Sequence, residues 1–549
     1  MSRLSSSAWL SVALATIGTP LAAAQPTPDP VPPPPPVAPT PEPAAPPPPT
    51  SEPTPSPPLP VTPPVAAPPP PPSPPPSPSS SAAPLPPDDD RHWFEGSPGA
   101  ASTSGFSFGS YGRVLAGTDL RGGLPERQNV VAIGPRLVEP TYFELDLAYA
   151  TKAWMGHPIK VVTTLAFDDD LFHVDGTFDA RPAVRNLYAE TDVDVGRPGS
   201  IWIGSRMYRG DDIYLFDYWP LDDQNTVGAG ASVRFGRAAV AAHVGWNRLD
   251  DEFQFQQTTV PDPVQGEALV TQLNRLRTVA STTIDVALRK AAPEGVSARL
   301  RLHGELQHLP AGSRELDDGT LEQLPTDRGL TLGLELSAFG LRPDDAKRNE
   351  TYHRFVNAFA RLSTGLAAFD ELGSPSTVDA DLRAAGASEL VLGLGGNVDH
   401  ERVLASVGYL SRRFVDADQN AIDHDDAWEH VVAARVLAPI PVLASSTTTP
   451  LQLGAEASYQ VRFARGPNAA TGLIADAAQW QVAPMLVYSP TGRSMLARPQ
   501  LRLVYRAARQ NQAARDQYVP DDPRGAHAWL HYLGVQAEWW FGARFGGGF

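Results

Sequence analysis

From about Phe106 to the C-terminus the chain is a succession of short segments in which apolar and polar side chains alternate with a period of two, separated by polar, Gly- and Asp-rich loops. In "TYFELDLAYA" Phe143, Leu145, Leu147 and Tyr149 share one face, and Tyr142, Glu144 and Asp146 the other. In "LRLVYRAAR" Leu501, Leu503 and Tyr505 oppose Arg502, Val504 and Arg506. In "YLGVQAEWWF" Leu533, Val535, Ala537, Trp539 and Phe541 oppose Gly534, Gln536, Glu538 and Trp540. No run of about 20 apolar residues offers a membrane-spanning helix. A soluble sandwich would solvate its outer face. A closed transmembrane barrel puts one face on lipid and the other on a lumen, and closure satisfies every backbone group, which suits so long a repetition better. The expectation is an all-β fold, a closed antiparallel transmembrane β-barrel over residues 105–549. Tyr149, Tyr505 and Trp539 are expected near strand ends as interfacial aromatics, and a terminal aromatic strand ending at Phe541 or Phe549 suits outer-membrane assembly.

What precedes this region has another character. Residues 1–24 carry Arg3, the apolar run "AWLSVALATIG" and the small residues Ala22, Ala23 and Ala24, the pattern of a cleaved export signal, with Gln25 as the first mature residue. Residues 25–104 form a spacer. Most of the chain's 59 prolines lie before residue 90, and the stretch from Pro26 to Pro87 has too little apolar surface to fold. As polyproline II, at about 3.1 Å per residue, it would reach on the order of 190 Å. It reads either as a low-complexity tail or as a tether that contacts the cell wall.

The chain has no cysteine, so an exported protein of this size has neither disulfides nor thiolate metal sites. Its formal net charge of −17 argues against nucleic acid or anionic lipid as the main partner. "FDDDLFHVDG" groups Asp168, Asp169, Asp170, His173 and Asp175; it reads as an acidic exposed loop or as a set of oxygens for Ca²⁺. "DADQNAIDHDDA" begins like an EF-hand but has Ala421 and Ala427 where Gly and Glu are required. H-E-x-x-H does not occur, and an enzyme would have to assemble Ser, His and an acid at a barrel rim from distant strands.

The segment "IWIGSRMYRGDDIYLFDYW" runs from an alternating strand into a cluster of charged and aromatic residues. With Trp202, Gly204, Arg206, Tyr208, Asp212, Asp217 and Trp219 it resembles the maltoporin (carbohydrate-specific porin) family, in which such a segment leads from a wall strand into the loop that narrows the pore. "GSYGRVLAG" is similar to the family's first strand and supplies Tyr111 and Arg113. "RLVEPTYFEL" is similar to the next wall segment, with Arg136, Tyr142 and Glu144, and "AVRNLYAE" supplies Arg185. "GVQAEWWF" resembles the last strand, with Trp540 as a channel-lining tryptophan. Departures are Gly210 or Asp211 where an arginine is expected, with Arg209 as the substitute, Pro220 in place of an aromatic, and eight extra residues from Gly542 to Phe549. Residues 250–400 give no residue match.

The resemblance implies about 18 strands, a homotrimer in the outer membrane, and facilitated diffusion of maltooligosaccharide-like sugars without cofactor or energy source. A sugar offers apolar C–H faces and a rim of hydroxyls. An aromatic slide of Tyr111, Tyr142, Trp219 and Trp540 would meet the first, and a polar track of Arg113, Arg136, Glu144, Arg185, Arg209 and Asp217 the second. Phe172 or Phe178 is either an aromatic lent to a neighbouring subunit or a loop anchor. The rival readings are a general or anion-selective porin, and a structural anchor for the Pro-rich arm.

Overall fold

The computed structural model describes residues 105–546, except 126, 152–157, 169–170, 178–180, 195, 290–296, 342–353, 376, 401, 419–425, 441–449, 469–470 and 520–521. The expected export signal and spacer, Phe178 and the centre of the EF-hand-like stretch lie outside the described residues, as does the side chain of Phe172.

The wall is an 18-stranded antiparallel sheet. Its first seven strands are β1 (Gly105–Thr118), β2 (Tyr142–Thr151), β3 (Ile159–Asp168), β4 (Arg181–Asp194), β5 (Pro198–Arg209), β6 (Asp223–Phe235) and β7 (Ala238–Asn247). A hairpin of β8 (Phe255–Asp262) and β9 (Gly266–Asn274) stands outside the wall, which resumes with β10 (Arg277–Arg289) and β11 (Ser297–Leu309). A second small hairpin, β12 (Gly312–Glu315) and β13 (Leu321–Leu324), precedes β14 (Asp327–Phe339), β15 (Arg354–Gly365), β16 (Ser388–Asp399), β17 (Leu404–Val415) and β18 (Ala427–Pro439). β19 (Leu451–Ala464), β20 (Ala477–Tyr488), β21 (Gln500–Gln510) and β22 (Trp529–Gly546) complete it. β22 pairs with β1 from Gly105↔Gly546 to Thr118↔Leu533, so the sheet closes and no edge remains.

Period two decides which way each side chain points. In β14, Leu332 is 53% exposed on the outside while Glu335 is 1% exposed on the inside. Leu330, Leu334 and Leu336 continue the outer row, and Thr331 and Ser337 the inner one. An apolar exterior around a polar interior is the arrangement of a membrane barrel, inverted from that of a soluble domain. Long connections gather at one end (119–141, 210–222, 248–276) and short ones such as 236–237 and 400–403 at the other. By the usual asymmetry of outer-membrane barrels the long-loop end is extracellular. Tyr505 and Trp539 lie well inside β21 and β22 rather than near strand ends, a correction to the interfacial placement read from the sequence. Among the described residues no helix is long and apolar enough to cross a membrane.

Candidate functional site

Two extracellular loops fold into the lumen. In 210–222 a one-turn helix, Tyr214–Phe216, is closed by an Ile213–Tyr218 bridge, with Asp217 at φ 52° in the left-handed region. Asp is among the few non-glycine residues that enter that region readily. Ile213, Leu215, Phe216 and Leu221 are buried inside the pore against Phe359, Val391, Leu410 and Val431 of the wall. Gly393 and Gly408 make the approach possible: a Cβ on either would stand 2.9 Å from the Ile213 side chain. The loop 119–141 lies beside it, with the Arg136 amide donating to the Leu215 carbonyl at 3.1 Å.

Charge fastens the two loops together. Arg136 reaches Asp217 at 3.0 Å, Glu139 at 3.0 Å and Glu538 at 3.6 Å, and Arg113 reaches Asp217 at 3.2 Å. Burial pushes the Asp217 carboxyl up, but Arg136 and Arg113 outweigh it and hold its pKa below the ordinary value. For Glu139 burial wins over the same two arginines and its pKa is raised. Deeper in the lumen the Tyr214 hydroxyl lies among Arg498, Arg435 at 3.3 Å, Arg502 at 3.5 Å and Glu538 at 3.4 Å. A small cleft opens here, bounded by Arg113, Arg136, Tyr214, Arg502 and Glu538.

The expected site residues of β1, β2, β4 and β22 come together on one stretch of wall. Strand register places Trp540, Tyr111 and Glu144 in one row, and Glu538, Arg113 and Tyr142 in the next. The Tyr111 and Tyr142 rings stand 5.9 Å apart. Arg113 and Arg185 lie over the Tyr142 ring at 5.2 and 5.8 Å, and Arg185 also pairs with Glu144 at 2.7 Å. Trp219 and Trp540 are not stacked on that tyrosine pair. Each lies under a guanidinium instead, Trp219 below Arg209 at 3.9 Å and Trp540 below Arg498 at 4.0 Å. Arg209 pairs with Asp223 at 3.0 Å. Arg136 belongs to the inward loop and not to a wall segment, since β2 begins at Tyr142.

Several inward residues escaped the sequence reading. Arg361, Glu389, Arg412, Glu429 and Arg462, one on each strand from β15 to β19, form a continuous ladder of alternating charge. Arg412–Glu389 measures 2.5 Å and Arg462–Glu429 2.9 Å. The Ala132 amide of the first inward loop donates to Glu429 at 3.1 Å, so the ladder also anchors that loop. Its signal in the sequence was a charged residue on the inward face of five successive alternating segments. His243 of β7 was missed as well: Trp202 of β5, already named in the sequence segment, stacks on it at 5.3 Å, with Arg206 over the Trp202 ring at 5.2 Å. Among the described residues no three metal-ligating side chains come together.

A mixed, paired set of charges beside aromatic rings, inside a closed wall with an apolar exterior, is the lining of a pore. The model of the LamB porin family matches residues 106–541, most of the barrel and none of the residues after Phe541. No curated protein sequence matches the chain. Among solved structures it is similar to Pseudomonas aeruginosa OpdK with vanillate, at 11% identity over 80% of this chain and 98% of that one, with a TM-score of 0.39. It is similar to P. aeruginosa OccK2 (OpdF) in complex with glucuronate at 12% identity over 80% and 98%, TM-score 0.36. A BenF-like porin from Pseudomonas fluorescens is similar at 10% identity over 80% and 98%, TM-score 0.37. With the family model matched along the wall from β1 to β22, the chain belongs to the LamB porin family and is a channel-forming β-barrel porin of the bacterial outer membrane.

Proposed function

We propose that the pore passes neutral, polyhydroxylated solutes, sugars of the maltooligosaccharide kind, by facilitated diffusion. The observation that carries this reading is that every arginine of the expected track sits on a carboxylate: Arg113 and Arg136 on Asp217, Arg185 on Glu144, Arg209 on Asp223. A lumen of paired charges has little net field with which to select ions, yet it offers donors and acceptors side by side, which is what a hydroxyl needs. Tyr111, Tyr142, Trp219 and Trp540 supply ring surface for the sugar's C–H faces, at about 0.5–1.5 kcal/mol per ring if aromatic-pair energies carry over. Weak sites in series favour entry and still permit exit. By kinship with its family the porin works as a homotrimer. Residues 1–24 act as the export signal and 25–104 as a periplasmic spacer.

A second reading, an anion-selective pore, is favoured by the concentration of Arg136, Arg435, Arg498 and Arg502 around Tyr214. Liposome swelling separates the two. Uptake of glucose oligomers faster than of equal-sized sugar acids supports the sugar pore, and the reverse order supports the anion pore.

A further inference from the structure

The outer face of the barrel repeats one constellation at two places. In the β17–β18 pair, Arg413 stands opposite Trp428, Ser411 opposite His430, and Tyr409 opposite Val432. In the β21–β22 pair, Arg509 stands opposite Trp529, Ala507 opposite His531, and Tyr505 opposite Leu533. The contacts repeat with the register. Tyr409 and His430 share a hydrogen bond at 3.2 Å, and Tyr505 and His531 one at 3.0 Å. Trp428 stacks on His430 at 5.8 Å and 5°, and Trp529 on His531 at 6.3 Å and 8°. Each tryptophan carries an arginine over its ring, Arg413 at 6.0 Å and Arg509 at 5.8 Å.

Both clusters lie on the outer face of the wall. Leu410 and Val431, their neighbours in sequence, pack inward on the pore loop, and Tyr532 beside His531 is fully buried. Both lie at the extracellular ends of their strands, where Arg413 is two residues from the end of β17 and Trp529 opens β22. Arg413 and Arg509 are exposed, and among the described residues neither meets a carboxylate; each lies over a tryptophan ring. The lumen arginines are built differently, each of Arg361, Arg412, Arg435 and Arg502 lying on a glutamate. An ordinary aromatic girdle needs neither a cation nor the repeated Tyr–His bond. A cation fixed over an aromatic face at headgroup depth presents its outward N–H groups to an anion while the ring and stem stay in the apolar layer.

The geometry points to two sites for the phosphate of an outer-leaflet glycolipid, one on Arg413, Trp428 and His430, the other on Arg509, Trp529 and His531. The net charge of −17 does not oppose this, because the anion meets only the local cation at the rim. The inference is independent of what the pore carries.

Native mass spectrometry of the porin, loaded in turn with lipid A bearing its phosphates and with the same lipid after phosphatase treatment, tests it. The wild type should retain the phosphorylated lipid about fivefold better per site, the effect of roughly one cation beside an anionic surface. Arg413→Gln with Arg509→Gln should abolish the preference while leaving single-channel conductance unchanged, and Arg→Lys at both positions should keep most of it. Excess inorganic phosphate should not displace the lipid. Equal retention of both lipids by the wild type reduces the clusters to an aromatic girdle and overturns the proposal. A preference that survives the double Gln change, displacement by free phosphate, or loss of subunit association with lipid retention unaltered also overturns it, the last by making these faces contacts between copies of the chain.

Discussion

Trp539 and Trp540 are consecutive in the chain and lie on opposite sides of its wall. Trp540 faces the lumen under the Arg498 guanidinium, whereas Trp539 rests on the Phe143 ring at 6.3 Å and donates its indole N–H to Ser110 at 3.1 Å. Gly112 leaves the space that Trp539 fills, since a Cβ there would fall 2.2 Å from its ring. Gly112→Ala is therefore expected to cost about 1–3 kcal/mol through overpacking. The loss should appear as a lower temperature for conversion of the folded barrel to the unfolded band on a gel, with solute passage unaltered.

Glu389 lies between Arg361 and Arg412 on the charge ladder and is almost fully buried. Glu389→Ala leaves two lumen cations without that carboxylate, which should cost roughly 3–5 kcal/mol, the usual penalty for breaking a buried pair. It should also move the reversal potential in a salt gradient toward anion selectivity. The isosteric Glu389→Gln should shift selectivity in the same direction with a smaller loss of stability.

The clamp between the two inward loops has a defined pH dependence. The folded pKa of Asp217 is depressed, so its contribution is present above the unfolded value and is lost only as pH falls through the lower, folded one. Glu139 has a raised folded pKa, so its ionisation costs stability above that value, and the cost is relieved as pH falls. Both signs predict a clamp that does not loosen in mild acid. Single-channel current noise should be the same at pH 7 and pH 5. Asp217→Asn should raise the noise at both.

Period two made the wall legible because each strand meets lipid on one side and lumen on the other. It placed Glu144 and Trp540 without knowledge of any neighbour. What stayed hidden depends on contacts distant in sequence. Arg136 follows a loop whose inward path is set by the Leu215 carbonyl and by Asp217, neither visible from its own segment. The ladder needs register as well as charge: Glu389 pairs across from Phe414, so its bond to Arg412 is diagonal and no alternation pattern announces it. Trp219 and Trp540 were legible as ring surfaces, but not the arginines that cover them.

The Pro-rich spacer has too little apolar surface to enter a folded wall. Deleting residues 30–85 while keeping the export signal should leave the conductance of the inserted porin intact. Loss of conductance in correctly inserted protein would assign the arm a plugging or gating role.

Titration of a maltooligosaccharide against single-channel current tests the central claim most directly. The wild type should show concentration-dependent block. Trp540→Ala and Trp219→Ala should each weaken it by about 0.5–1.5 kcal/mol with ion current equal or higher, while Trp539→Ala leaves sugar affinity nearly unchanged. An open, anion-carrying current that no sugar blocks, in the wild type and in all three variants, would contradict the account.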